Sequence, residues 1–86
     1  MRKINIQAEE RERIVILLKK IIGQLQSISN LVENDKITDQ TLVQLLAVKG
    51  GANNVCKEII SKGVLGNIQD YTVEELDQAL SIIMKL

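Results

Sequence analysis

The chain is 86 residues long, enough for one small domain over residues 1–86 and no second one. It is 45 % hydrophobic, yet Tyr71 is its one aromatic residue, Pro and His are absent and a single Cys is present, so the core must be aliphatic and held without an intrachain disulfide or a zinc cluster. Eleven basic residues balance eleven acidic ones, which excludes a globally basic nucleic-acid coat; residues 1–30 nevertheless hold six basic against three acidic residues, so a local basic stripe falls in the first third.

From Gln7 to Glu33, Ile14, Leu17, Leu18, Ile21, Ile22, Leu25, Ile28, Leu31 and Val32 recur at spacings of three and four, the pattern of one amphipathic helix. At 1.5 Å per residue it is about 40 Å long, more than a domain of this size needs for its own packing. The excess invites a partner helix. Asn34-Asp35-Lys36 breaks the pattern, and Thr38 or Asp39 can accept a hydrogen bond from the free N–H groups of a second helix. That helix is expected to turn Leu42, Leu45, Leu46, Val48, Ala52, Val55, Ile59 and Ile60 inward and to run to about Lys62, where Gly63 ends or loosens it. Gly50-Gly51 interrupt it at about 1 kcal/mol each, a tolerable cost if they let another helix approach closely.

Tyr71-Thr72-Val73-Glu74-Glu75-Leu76 is a start signal for a third helix: Thr72 as N-cap, Glu75 completing a capping box, Tyr71 stapling onto Leu76. No segment shows sustained period-two alternation and no repeat appears, so the expected class is all-α. A chain this short buries only about two-thirds of its unfolded surface, and its stripes are too wide to be covered within one chain. The first two helices are therefore expected to form an antiparallel pair that dimerises into a four-helix bundle, with a dimer of dimers beyond it.

A lone Cys and no h-region near Met1 point to the reducing cytoplasm. No apolar run approaches the roughly 18 residues a transmembrane helix needs, so no membrane partner is expected. Without His, the chain lacks Ser-His and Cys-His pairs and the usual imidazole and thiolate metal sites, and no Gly-rich loop follows a strand to cradle phosphate. Glu9, Glu10, Glu12, Glu33, Asp35, Asp39, Glu74, Glu75 and Asp77 mostly fall at helix starts or turns, where they complement the macrodipole. No enzyme and no cofactor is expected. Cys56 reads as a small apolar filler. Arg11, Arg13, Lys19 and Lys20 on the first helix and Lys49 on the second are the candidate DNA contacts, in a pattern that a solvated face also produces.

The stretch Leu18-Lys19-Lys20-Ile21-Ile22-Gly23-Gln24-Leu25, with Ile28 after it, resembles the L-K-R-I-E-G-Q-V…I signature of the CsoR/RcnR repressors, bacterial sensors of copper, nickel, formaldehyde and sulfide. Asp39, Leu42, Gln44, Ala47, Val48 and Lys49 are similar to that family's D-V-L-x-Q-I-x-A-V-R segment at the same separation, and Glu74-Glu75-Leu76 resembles its third-helix E-E-L. The resemblance covers roughly residues 10 to 68. It implies an all-α dimer of antiparallel helix pairs assembling into a tetramer on operator DNA, with Lys20 and Lys49 at basic contact positions where relatives carry Arg. Lys lacks the bidentate grip of Arg, and Leu17 stands where relatives usually hold another Arg.

The same register puts Thr38, Gly63 and Asn67 at the copper sensors' Cys, His and Cys, so no metal ligand set is expected. Ile37 replaces their supporting Tyr, and Glu75, matching a supporting Glu, reads as a helix cap. Persulfide sensors need thiols at positions 38 and 67, formaldehyde sensors an N-terminal Pro where Arg2 stands, and nickel sensors His. The expectation is a repressor with an unidentified inducer; the alternative is a helical interaction module that kept the fold without DNA binding or metal sensing.

Overall fold

The computed structural model describes residues 3–86, and all of the regular structure among them is helical. Three α-helices follow one another: α1 (Ala8–Glu33), α2 (Asp39–Ile59) and α3 (Val73–Met84), the last two joined by further helical turns from Ile60 to Asp70. The all-α class is what the periodicity predicts.

α1 and α2 form an antiparallel hairpin on a seven-residue repeat. Ile14, Ile21 and Ile28 are seven apart on α1 with Leu17, Gln24 and Leu31 between them; Ile14 and Ile28 are buried and the other four half-buried. α2 answers with Thr41, Val48 and Val55 at the same interval, Thr41 and Val55 buried. A repeat of 3.5 residues per turn keeps both seams facing each other along the whole hairpin. Thr41 is 2 % exposed. Its hydroxyl is satisfied there, because Oγ1 accepts the Thr38 N–H at 3.0 Å, one half of a capping box between Thr38 and Thr41 at the start of α2. Asp39 adds a bond from the Gln40 N–H to its Oδ1 at 3.0 Å.

The turn between the helices is a complete Schellman cap. The Lys36 N–H donates to Leu31 O at 2.8 Å and the Asp35 N–H to Val32 O at 3.2 Å, with Asp35 in the left-handed region at φ 53°.

Two expectations need correcting. Leu42, Leu45 and Leu46 do not turn inward in the chain: α2 carries two apolar stripes, and the one through Val48 and Val55 faces α1, leaving Leu46 67 % exposed. Nor does Gly63 end a helix that runs to Lys62. Regular α-helix stops at Ile59, the chain widens into a π-turn over Ile60–Val64 in which the Leu65 N–H reaches back to Ile60 O, and a 3-10 turn continues through Leu65–Asp70, kinked at Asn67. Gly63 is buried within the π-turn because residues 4 to 6 lie across it: a Cβ there would fall inside Ile4 Cγ2 and 3.2 Å from Ile6 Cγ1. The mid-helix glycines divide. Gly51 faces α1, with Ile21 3.4 Å from where a Cβ would stand, while Gly50 opens onto free space.

α3 starts on the expected box: the Glu75 N–H donates to Thr72 Oγ1 at 3.1 Å and the Thr72 N–H to Glu75 Oε1 at 2.9 Å. It closes the base of the hairpin, where Ile60, Val64 and Ala79 form a buried cluster with Ile4, Tyr71, Leu76 and Ile83 packed around it. Above this base the molecule is a bare arm. Its extents are 51 × 26 × 16 Å and its radius of gyration is 16.2 Å, against about 12 Å for a compact chain of this length.

Candidate nucleic-acid interface and sensor position

Helical periodicity divides the hairpin into two flanks. On one, Gln24 and Ser27 of α1 and Gln44 and Ala47 of α2 line a shallow cleft of about 280 Å³. Lys20 and Arg13 lie seven and fourteen residues before Ser27, so they continue its line toward the base, and Lys19 is one step further round the helix. Asn54 and Lys57 carry the same flank along α2, and Lys57, overlooked in the sequence, is found by its three-residue step from Asn54.

The opposite flank is apolar. Leu18, Leu25 and Val32 form one exposed line on α1, Val15 and Ile22 another, and Leu42 and Leu45 face the same way from α2. Lys49 is seven residues after Leu42 and two after Ala47, which turns it onto this apolar flank, and Arg11, seven before Leu18, sits at the base end of the apolar line. The structure therefore aligns Arg13, Lys20 and Lys19 and sets Arg11 and Lys49 apart from them. All five are exposed. Arg13, itself exposed, meets the half-buried Glu10 carboxylate at 3.8 Å, too long for a hydrogen bond, and among the described residues the other four have no ion partner.

The three positions of the presumed sensor part in a similar way. Gly63 and Asn67 adjoin, with Asn67 Nδ2 donating to Gly63 O at 3.0 Å, while Thr38 caps the far end of α2. Twenty-one residues of helix lie between them, about 30 Å. Gly63 brings no donor atom, Ile4 fills the space beside it, and the Asn67 amide is spent on backbone carbonyls, so this corner does not suit a soft metal ion. Among the described residues no three His, Cys, Asp or Glu side chains converge into a metal-binding group. Sequence reasoning did not place Ile4, Asn5 and Ile6 beside this corner, although their short apolar-polar-apolar alternation was the available signal.

A helical hairpin with an uncovered apolar flank and exposed cations is thus the frame on which the likeness to known proteins is to be set. Residues 10–86 match the metal-sensitive transcriptional repressors, and the chain belongs to that family. It is 38 % identical over 53 residues to the copper-sensing transcriptional repressor CsoR of Bacillus subtilis (strain 168), a match covering 62 % of this chain and 52 % of that protein. The matched stretch thus spans about half the length of the curated relative. No solved structure matches significantly. The family is one of transcriptional repressors rather than enzymes.

Proposed function

We propose that the chain is a cytoplasmic, DNA-binding transcriptional repressor that works as a homo-oligomer and whose sensor position no longer takes copper. The observation that carries this reading is the two-sided arm: an uncovered apolar flank next to unpaired lysines, on the scaffold of a repressor family.

The chain exposes 6626 Å², about 1,500 Å² more than a compact 9.6 kDa monomer shows. An excess of that order is enough for a stable interface, which takes roughly 800 Å² from each partner. Pairing two hairpins by their apolar flanks makes a four-helix bundle, and a pair of such dimers a tetramer. Among the described residues α1 alone is long and apolar enough to cross a membrane, its most apolar 18 residues averaging a hydropathy of 1.2. Assembly accounts for most of that composition, because all the large apolar residues of α1 except Ile16 fall into two stripes, one for α2 and one for a neighbouring copy, with Lys19, Lys20 and Ile16 exposed on the remaining face.

Several copies then bring Lys19, Lys20 and Lys49 onto one assembled surface, where each lysine neutralises a phosphate as a point charge. The inducer is something other than a soft metal ion at Thr38, Gly63 and Asn67.

Fluorescence anisotropy on the chain's own upstream duplex and a scrambled one, at several salt concentrations, tests the proposal. Own-sequence binding is expected to exceed scrambled, and Lys20→Ala and Lys49→Ala to lower the slope of log K against log salt by roughly 0.9 for each phosphate no longer neutralised. If neither duplex binds near about 0.15 M salt, the repressor reading fails, and a helical interaction module is the better account.

A further inference from the structure

We propose that residues 3–7 are an internal clasp that occupies the cleft beside Gly63 and holds the first turn of α1, so that releasing the clasp opens the cleft and loosens Arg11 and Arg13. Separate interactions of Ile4, Asn5 and Ile6 carry this. Ile4 packs against the Ile60, Val64 and Ala79 cluster, so the segment is part of the core at the base. Gly63 has no side chain where Ile4 Cγ2 needs the room, and the buried π-turn leaves that room open toward residues 4 and 6 alone. Asn67 then ties the two strands together, its Nδ2 donating to Asn5 O at 3.4 Å and to Gly63 O at 3.0 Å.

The clasp also divides the surface. Asn5 and Asn67 line both of two open clefts, of about 530 and 470 Å³, one bordered by Gln7, Glu10 and Lys62 and the other by Asp70 and Tyr71. With the segment gone the two clefts join into one hollow floored by Gly63 and the aliphatic cluster that Ile4 covers, with Lys62, Asn67 and Asp70 at its rim, large enough for a small amphipathic metabolite. The clasp is in this sense a built-in competitor for whatever enters.

The link to α1 follows from what its start lacks. Gln7 is the N-cap, and its side chain makes no capping hydrogen bond. The free N–H groups of the first turn have no side-chain acceptor at the cap, so the order of that turn depends on the docked segment that leads into it. Arg11 and Arg13 follow within two turns. The effect on DNA rests on the repressor reading; the clasp itself does not.

The test is amide hydrogen exchange on the full chain, followed in peptides covering residues 3–13, for wild type, Gly63→Ala, Asn67→Ala and Ile4→Ser, with own-duplex affinity measured beside it. Each substitution is expected to speed exchange roughly tenfold at Arg11, Glu12 and Arg13, the first amides of α1 that donate to a carbonyl one turn back, while the centres of α2 and α3 keep their protection. Ile4→Ser probes the same contact from outside the helices if Gly63→Ala fails to fold. Arg11, Glu12 and Arg13 exchanging no faster in any of the three variants than in wild type overturns the clasp. A wild-type protein that shows the expected exchange pattern but binds no duplex removes the repressor reading and supports the clasp. Faster exchange with severalfold weaker own-duplex binding supports both.

Discussion

Val64 at the base of the hairpin is completely enclosed by its own chain, whereas Leu46 in the arm is 67 % exposed with nothing over it. The base has every device of a self-sufficient core: a full capping box at Thr72 and Glu75, a buried aliphatic cluster, and the N-terminal segment clasped across it. The arm has a well-formed seam between α1 and α2 and, beside it, apolar lines that none of the described residues covers. The base is therefore closed by its own residues while the arm is not, and on the proposed assembly the arm's stability is linked to protein concentration and the base's is not.

The strongest way to break that comparison is a charge on the arm. In an isolated chain Leu25→Asp costs little, because Leu25 is already 44 % exposed. In an assembly that covers this flank, an unpaired carboxylate is buried at a cost of several kcal/mol per copy. The expected outcome by light scattering is a fall from the oligomer to the single-chain mass, with a melting temperature that no longer depends on protein concentration. An unchanged mass would show that this flank is free surface.

The converse substitution probes the base. Val64→Ala removes two methyl groups from a fully enclosed site and is expected to cost about 2 kcal/mol, roughly 10 °C in melting temperature for a chain of this size, while the oligomeric mass is kept. Loss of assembly in this variant would mean that the base and the arm are not separable.

The sequence announces the base and the arm unequally. Thr72 and Glu75 are legible because a capping box is written in adjacent residues, and α1 because its period runs unbroken over 26 residues. What is not legible depends on contacts distant in the chain. Gly63 reads as a helix stop until Ile4, 59 residues earlier, is seen to need its space. Leu42, Leu45 and Leu46 form as good an apolar stripe as Val48 and Val55, and periodicity cannot tell which of two stripes meets the chain's own α1 and which stays uncovered. The candidate site shares this limit. Lys20 and Lys49 are visible as cations, but their places on opposite flanks follow from how α1 and α2 face each other.

The smallest expected effect lies at the tip of the arm, where Asp35 holds φ 53° between α1 and α2. Both Schellman bonds there are made by backbone atoms, the Asp35 N–H to Val32 O and the Lys36 N–H to Leu31 O, so they survive any change of side chain. A side chain in the left-handed region costs about 1 kcal/mol, less for Asp than for most residues, and Gly returns part of that through its more flexible unfolded state. Asp35→Gly is therefore expected to stabilise the protein by about 0.5 kcal/mol in a urea melt, with the midpoint raised and the slope unchanged. A lower midpoint would instead give the Asp35 carboxylate a contact that the single chain does not supply, and place the tip of the arm inside the assembly rather than at its edge.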